Sequence, residues 1–260
     1  MALEVERLDG GVALATLSAE SSRNAFDIDS IQTISDTLNE LMDDSSIRGI
    51  VITGTGRFFC AGADINEFQD SIADGTIGDL VGQLTGILHP LLVRMRGDST
   101  VIVAAINGAA AGGGLGLALA CDARVASPDA KLSAAFFKLG LSPDGGTTWL
   151  LPRLVGAQET KRFFFNDETW SGKQAFRKGA IDELVPAEEL TQRAITVATE
   201  WGHWAAMSRR STKQLLDAQS STFFETQLEF ERALITAASM TPDFAEGVAS
   251  FIEKRDPNFE

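Results

Sequence analysis

A buried apolar run that leads into three consecutive glycines limits most strongly what this chain can fold into. Residues 100–106 are apolar and rich in β-branched side chains, which is typical of a strand covered on both faces in a parallel sheet. Gly112, Gly113 and Gly114 follow, and the alanine and leucine residues up to Ala120 favour a helix. The segment predicts a buried strand that is joined through a glycine turn to a helix N-terminus.

The order of strand and helix signals indicates an α/β protein. A hairpin signal lies at Asp9-Gly10-Gly11, and helical spacing spans residues 25–43 and 80–95. Residues 64–82 are polar and show no regular period, so we expect an irregular loop there. Alternation in the first 135 residues predicts a core of repeated strand–strand–helix units, whereas the pattern from Thr147 onward is nearly all helical.

The composition disfavours several classes of partner. The chain has 36 acidic and 22 basic residues and a net charge of −14, which argues against a nucleic-acid partner. It shows no charged-then-apolar leader at Met1 and no apolar run of about 18 residues, so we expect a cytoplasmic protein with no membrane partner. Cys60 and Cys121 lack paired spacing with histidines, so we expect no metal site.

Two motifs carry a resemblance to a known family. They are FFCAGADI at residues 58–65 and the triple glycine, with Asp144 of the sequence SPDGG standing 31 residues after Gly113. The chain resembles the crotonase (enoyl-CoA hydratase/isomerase) superfamily, from its first strands to SFIEKRDPNF near the end. The resemblance implies an α/β fold, a ClpP-like spiral of ββα units. It also implies an acyl-CoA thioester partner, with coenzyme A bound as part of the substrate and no permanently bound cofactor.

The resemblance further implies how the chain is divided and assembled. Residues 1–190 would form the spiral core with the thioester site, and residues 191–260 would form a C-terminal helical region. In the family this region makes a trimer, so we expect a homotrimer or a dimer of trimers.

Family motifs also indicate an oxyanion hole, a pair of N–H donors that bind the negative charge of a thioester enolate. By motif matching the donors are the backbone N–H groups of Ala63 and Gly113, with Gly112 beside them. Gly113 opens a helix, whose positive dipole end adds to the field. A dinucleotide fingerprint is excluded because Leu117 stands where its third glycine is required.

Hydratases of the family hold a water between two glutamates, and both are missing here. The corresponding positions carry Gly116 and Phe136, which provide no base. We therefore expect no efficient hydration by that mechanism.

Asp144 is the acid that remains. Its position, with Pro143 and the sequence Leu151-Pro152-Arg153, is most similar to isomerases of enoyl-CoA double bonds and of ring-epoxidised phenylacetyl-CoA. A single carboxylate suffices for a 1,3-allylic shift, because it can remove a proton from one carbon and return it two carbons on. Phe136, Phe137 and Trp149 are expected to surround this carboxyl with apolar side chains.

His89 leaves other functions open. With Asp144 it matches the histidine and the nucleophilic aspartate of the 4-chlorobenzoyl-CoA dehalogenase branch, so dehalogenase-like or acyl-CoA hydrolase chemistry is an alternative. That branch differs at Phe136 and Ala63, where it has tryptophan and phenylalanine. A non-catalytic acyl-CoA-binding homologue is the third possibility.

The resemblance assigns binding of the CoA moiety to six further positions. Arg23 would lie near the phosphates, the loop containing Ala61, Asp64 and Ile65 would surround the adenine, and Phe251 and Lys254 would reach CoA, often from a neighbouring subunit.

Overall fold

The computed structural model describes residues 2–19 and 23–259 of the chain. The strands of these residues are β1 (Leu3–Leu8), β2 (Val12–Leu17), β3 (Gly49–Gly54), β4 (Phe58–Cys60), β5 (Val101–Ile106), β6 (Ala109–Ala111), β7 (Ala123–Ala126), β8 (Lys131–Ser133), β9 (Thr169–Ser171) and β10 (Glu183–Leu184). The helices are α1 (Ile28–Asp43), α2 (Ile65–Asp74), α3 (Ile77–Gly97), α4 (Gly113–Ala120), α5 (Thr147–Val155), α6 (Ala157–Phe165), α7 (Gly172–Lys178), α8 (Leu190–Gly202), α9 (Ala206–Ala218), α10 (Phe224–Ala238) and α11 (Pro242–Glu253).

The strands form two sheets that the chain visits in turn. The larger sheet has the order β1-β2-β3-β5-β7-β10 and the smaller has the order β4-β6-β8-β9. The pairs are parallel except for β1 with β2 and β8 with β9. Each of the successive pairs β3/β4, β5/β6 and β7/β8 puts its first strand in the larger sheet and its second in the smaller. This is the repeated strand–strand unit that the sequence predicts.

The larger sheet is covered on both faces, and its central strand β5 is apolar at every position. Along β5 every residue is buried, as continuous apolar runs predict for a parallel sheet. Ile102 packs into the main core together with helices α1, α3 and α4, whereas its neighbour Val103 packs on the opposite face with Val197 of α8. This double cover fixes the position of the strand end from which the glycine turn leaves.

The expectation of an irregular loop over residues 64–82 is wrong. Helix α2 begins there after Asp64, whose carboxylate accepts a hydrogen bond from the N–H of Asn66 at 2.8 Å. It ends at Gly75, whose φ of 72° is the left-handed conformation that closes many helices. Ile65, Phe68 and Ile72 follow helical spacing, but the first and last of them are exposed and Phe68 alone of the α2 residues packs against the main core.

The segment after residue 190 is helical, as expected, but its first helix belongs to the sheet packing. Ala194 and Val197 of α8 are buried against the larger sheet. Helices α10 and α11 instead carry exposed apolar side chains, among them Phe224 and Phe251. Subunit assembly through these helices stays a prediction. No helix within the described residues combines the length and apolar character that crossing a bilayer requires.

Candidate active site

A cavity of about 850 Å³ opens where the smaller sheet meets helices α2 and α3. Segments distant in the sequence contribute to its lining: the loop before α1, the end of β4, helix α3, the start of α4 and the loop after β8. The residues that the sequence singles out and that line this cavity are Arg23, Ala61, Ala63, Asp64, Ile65, Gly112, Gly113, Phe136 and Asp144.

Two backbone segments pass each other at the floor of the cavity without side chains between them. A Cβ atom on Gly62 would lie 2.9 Å from the carbonyl oxygen of Ala111 and 3.0 Å from the nitrogen of Gly113. A Cβ atom on Gly114 would lie 2.4 Å from the carbonyl oxygen of Cys60. Glycine is therefore required at both positions, because only bare backbone allows such a close approach.

The Ala63 segment is fixed by a parallel bridge to Phe26. The Phe26 N–H donates to the carbonyl oxygen of Gly62 at 2.6 Å, and the Asp64 N–H donates to the carbonyl oxygen of Phe26 at 2.9 Å. In such a bridge the N–H of the residue between the two bonds points away from the partner segment. The Ala63 N–H therefore does not point at Phe26.

The N–H groups of Ala63 and Gly113 have no acceptor in the described part of the chain, and both residues line the cavity. Gly113 is the first residue of α4, where backbone N–H groups have no partner within the helix. The helix dipole places partial positive charge at the same end. Two such donors suit the negative oxygen of an enolate.

Asp144 contacts His89 of helix α3, which is not itself among the residues that line the cavity. The His89 Nε2 atom lies 2.8 Å from Asp144 Oδ1. Gly145 and Gly146, with φ of 61° and 71°, form the turn after the aspartate. Thr147 anchors this turn by donating its hydroxyl to the Asp144 carbonyl oxygen at 2.8 Å. The N-cap of α5 is Gly146, so the carboxylate of Asp144 does not cap the helix.

The positions of the missing hydratase acids are filled in two different ways. A Cβ atom on Gly116 would lie 2.3 Å from the carbonyl oxygen of Gly145, so the turn after Asp144 occupies the space that any side chain there would need. Phe136 lines the cavity and is buried, with its ring 6.4 Å from that of Phe164. Neither position presents a carboxylate, and position 116 has no room for one as the chain stands.

Trp149 and Phe137 do not surround Asp144, in contrast to the expectation from the sequence. The centroid of the Trp149 ring lies 3.3 Å from the guanidinium carbon of Arg153 and 5.3 Å from that of Arg96, and the residue does not line the cavity. The Phe137 ring packs edge-on against Phe165 at 5.4 Å. Helix α5 starts at Thr147 and its first turn carries the indole away from the cavity, which periodicity alone did not indicate.

Phe251 and Lys254 lie away from this cavity. Phe251 is 86% exposed on α11, and Lys254 ends that helix in the left-handed conformation. Their contact with a CoA held by another subunit stays a prediction.

Several lining residues escaped the sequence interpretation. Val81, Leu84 and Leu88 line the cavity from one face of α3, and their helical spacing could have revealed them. Lys138 and Asp167 also line it and form an ion pair at 2.8 Å. No sequence pattern joins these two residues, because they meet only through tertiary packing.

Cys60 lies beside the glycine contacts but offers no nucleophile. Burial raises the pKa of its thiol to about 12, so the group is neutral near pH 7. Within the described residues no three His, Cys, Asp or Glu side chains are grouped as metal ligands.

Comparison with known proteins shows which proteins this chain is similar to. A family model described as enoyl-CoA hydratase/isomerase matches residues 7–260. A 1,2-epoxyphenylacetyl-CoA isomerase from Escherichia coli K12 is 32% identical over 255 residues, which cover 98% of this chain and 97% of the relative. A 2,3-dehydroadipyl-CoA hydratase from the same organism is 31% identical over 249 residues, 96% of this chain and 95% of the relative.

A solved structure extends the likeness to the fold. The crystal structure of an enoyl-CoA hydratase from Bacillus anthracis matches with a TM-score of 0.92 at 27% identity, covering 100% of this chain and 99% of that one. The predicted fold class, an α/β spiral followed by a helical region, is confirmed.

Proposed function

The chain belongs to the enoyl-CoA hydratase/isomerase family, and we propose that within it the protein is an isomerase that moves a carbon–carbon double bond of an enoyl-CoA thioester. The observation that carries the proposal is the position of Asp144. This acid lines the cavity together with Ala63 and Gly113, whereas Gly116 and Phe136 stand where a hydratase has its two glutamates. Relatives named isomerase and hydratase are almost equally identical to the chain, so the choice rests on these residues.

Asp144 is the available acid among those that line the cavity in the described part of the chain. Asp64 caps α2 by accepting the Asn66 N–H, and Asp167 pairs with Lys138. Asp144 makes one side-chain contact, through Oδ1 to His89, which leaves Oδ2 for a substrate proton. A general base must lie within reach of the proton that it removes, and this carboxylate lines the cavity that would hold the substrate.

The proposed reaction transfers one proton and is balanced without a further reactant. The Asp144 carboxylate removes a proton from C2 of a 3-enoyl thioester, and the C–H electrons form a dienolate with its charge on the thioester oxygen. The resulting carboxylic acid returns the proton to C4. The double bond then lies between C2 and C3, and Asp144 is again ionised.

The N–H groups of Ala63 and Gly113 would bind the dienolate oxygen. Each donor is worth about 3–4 kcal/mol of transition-state stabilisation in comparable sites. Since both belong to backbone that is fixed by glycine contacts, they need no reorganisation when the charge develops.

Incubation with three thioesters in D₂O tests the proposal. We expect a 3-enoyl-CoA to be converted into its 2-enoyl isomer, with or without deuterium, as followed by mass spectrometry and chromatography. A protein that only adds water to a 2-enoyl-CoA would contradict it. A 4-chlorobenzoyl-CoA is the third substrate, and chloride release from it would favour the alternative below.

Restoring the two hydratase acids by substitution is expected to fail. In Gly116→Glu/Phe136→Glu the new Cβ at position 116 collides with the Gly145 carbonyl, so the turn that carries Asp144 must move. We expect no hydration of a 2-enoyl-CoA and a loss of about 1–3 kcal/mol in the free energy of unfolding from the Gly116 change. Water addition and denaturant unfolding would be measured.

Gly78→Glu is the matched control, because a Cβ at that exposed helical position meets no atom within 4 Å. It should be as stable as the parent protein. Rapid hydration by the double variant would show that the turn does not exclude a carboxylate.

The His89–Asp144 contact favours one second function, hydrolytic or dehalogenating acyl-CoA chemistry. In it Asp144 attacks either the acyl carbon, which displaces the CoA thiolate and forms an anhydride, or the aryl carbon, which displaces chloride and forms an aryl ester. Water, whose proton His89 accepts, then cleaves the bond to Asp144 and restores its carboxylate. This route predicts a covalent intermediate. An acyl or aryl mass added to the intact protein in rapid-quench experiments would distinguish it from the isomerase, which forms no covalent bond.

A further inference from the structure

Cations are scarce around the cavity, although the proposed ligand, a CoA thioester, is an anion. Of the described lining residues only Arg23 and Lys138 are cationic, against the acids Asp64, Asp144 and Asp167. The whole chain carries a net charge of −14. A ligand with phosphate or carboxylate groups therefore depends on these two side chains for local attraction. Arg23 is already assigned by the family resemblance, whereas Lys138 is not.

Lys138 is presented to solvent while its partner is buried. Its ammonium lies 2.8 Å from Asp167 Oδ2, and the exposed fractions of the two side chains are 81% and 14%. An ammonium has three N–H donors, and this ion pair uses one of them. The remaining donors are free to bind a second anion at the mouth of the cavity.

Two further contacts join the segments that carry the pair. The rings of Phe137 and Phe165 pack edge-on, and the hydroxyls of Ser133 and Thr169 lie 3.0 Å apart. Lys138 sits on a 3-10 turn, Phe137–Leu139, whose first residue packs against the end of α6, and the hydroxyl contact joins strands β8 and β9 nearby. The backbone segment that carries Lys138 is therefore held next to the segment that carries Asp167.

Asp167 adopts a backbone conformation that residues other than glycine seldom take. Its φ is 46°, in the left-handed region, and its Oδ1 atom is buried with no hydrogen-bond partner in the described part of the chain. Both features cost free energy, and such costs concentrate at functional sites. In this conformation the Asp167 carboxylate lies next to the Lys138 ammonium.

We propose that Lys138 is a specificity-determining residue that binds an oxyanion of the substrate at the cavity mouth, and that Asp167 positions it. The inference rests on the proposed function only for the premise that the ligand is a CoA thioester. The oxyanion has two sources, the phosphates of CoA or a carboxylate at the far end of a dicarboxylic acyl group.

Binding calorimetry with four saturated thioesters tests this, since they cannot be isomerised and report affinity without turnover. Hexanoyl and adipoyl groups are each presented on CoA and on pantetheine, which lacks the phosphates. The full-length protein is compared with Lys138→Gln, Lys138→Arg, Asp167→Asn and the double variant Lys138→Gln/Asp167→Asn. Lys161→Gln, on an exposed position of α6 outside the cavity, is the matched control.

We expect Lys138→Gln to weaken binding about tenfold, the usual size for a hydrogen bond to a charged group. If Lys138→Gln binds both CoA esters more weakly but both pantetheine esters as tightly as the parent does, the oxyanion belongs to the phosphates. Loss confined to the adipoyl esters assigns it to the acyl carboxylate. Lys138→Arg should retain most of the affinity, and Asp167→Asn should weaken binding in the parent but not in the Lys138→Gln background.

Equal affinity of Lys138→Gln and the parent for all four esters would overturn the proposal, as would an equal loss in Lys161→Gln. Because no step requires catalysis, an inactive isomerase would refute the proposed function and leave this result readable.

Discussion

Asp144→Asn is expected to lower the rate of double-bond isomerisation by about 10²–10⁴-fold, the range that a positioned acid–base group contributes. Asparagine has the same shape and can keep a contact with His89, but it cannot take a substrate proton. The loss should fall on kcat with little change in KM, since the carboxylate acts in the transition state and not in holding CoA. Steady-state kinetics with a 3-enoyl-CoA would measure it.

Asp129→Asn provides the matched control for the Asp144 variant. Asp129 is an exposed aspartate between β7 and β8 that does not line the cavity, and its variant should keep full activity. Calorimetry should show that Asp144→Asn still binds a saturated acyl-CoA. Near-full activity of Asp144→Asn would mean that another group moves the proton.

Lys213→Met is expected to lower the free energy of unfolding by about 3–5 kcal/mol, because it leaves a buried carboxylate without its partner. The Lys213 ammonium lies 2.6 Å from Asp122 Oδ2, and only 12% and 14% of the two side chains are exposed. The ammonium also donates to the carbonyl oxygens of Met95 and Thr100 at 3.1 and 2.8 Å. It thereby joins α9 to the end of α3 and to the strand that leads into the glycine turn.

Denaturant unfolding of the Lys213 variant would be compared with that of Lys161→Met. Lys161 is exposed on α6, so its replacement should change the free energy of unfolding by no more than about 0.5 kcal/mol. A Lys213→Met protein within about 1 kcal/mol of the parent would contradict a structural role for the pair.

The loss in free energy of unfolding that Lys213→Met causes should also depend on pH, and the surroundings of Asp122 determine the direction. Burial raises the pKa of Asp122 above its ordinary value of 3.8, and the charge of Lys213 opposes the rise. A group with a raised pKa in the folded state stabilises fully below its unfolded value and loses that contribution as pH rises through the folded value. Without Lys213 the pKa rises further. The deficit of Lys213→Met should therefore be smaller at about pH 4 than at about pH 7.

Helix boundaries with strong local signals followed from the sequence, and those with weak signals did not. Helix α4 runs from Gly113 to Ala120, as the alanine and leucine pattern predicts. Helix α2 was missed although three apolar residues follow helical spacing, because polar residues dominate the segment and its caps, Asp64 and Gly75, resemble turn residues. A helix can be identified from the sequence when its apolar spacing and its capping residues agree. It is easily missed when its apolar face is only partly buried.

The residues of the candidate site also divide into those that the sequence predicts and those that only the structure places. The sequence alone placed Asp144 five residues before Trp149, but it could not tell which of them faces the cavity. The start of α5 decides this, because it turns the indole toward Arg153 and leaves the carboxylate beside His89. A short sequence separation does not determine whether two side chains share a surface when a turn and a helix start lie between them.

By itself the sequence determined the α/β architecture and the glycine turn before α4, because both depend on local requirements such as strand and helix period or the absence of a Cβ atom. The acid that remains where two others are absent was identified through the resemblance to the family. Only the tertiary structure decided that His89 contacts Asp144 across 55 residues, that Gly145 fills the space beside Gly116, and that Lys138 rests on Asp167. Each of these contacts joins segments that the folding of the two sheets brings together, and no local pattern encodes such a meeting.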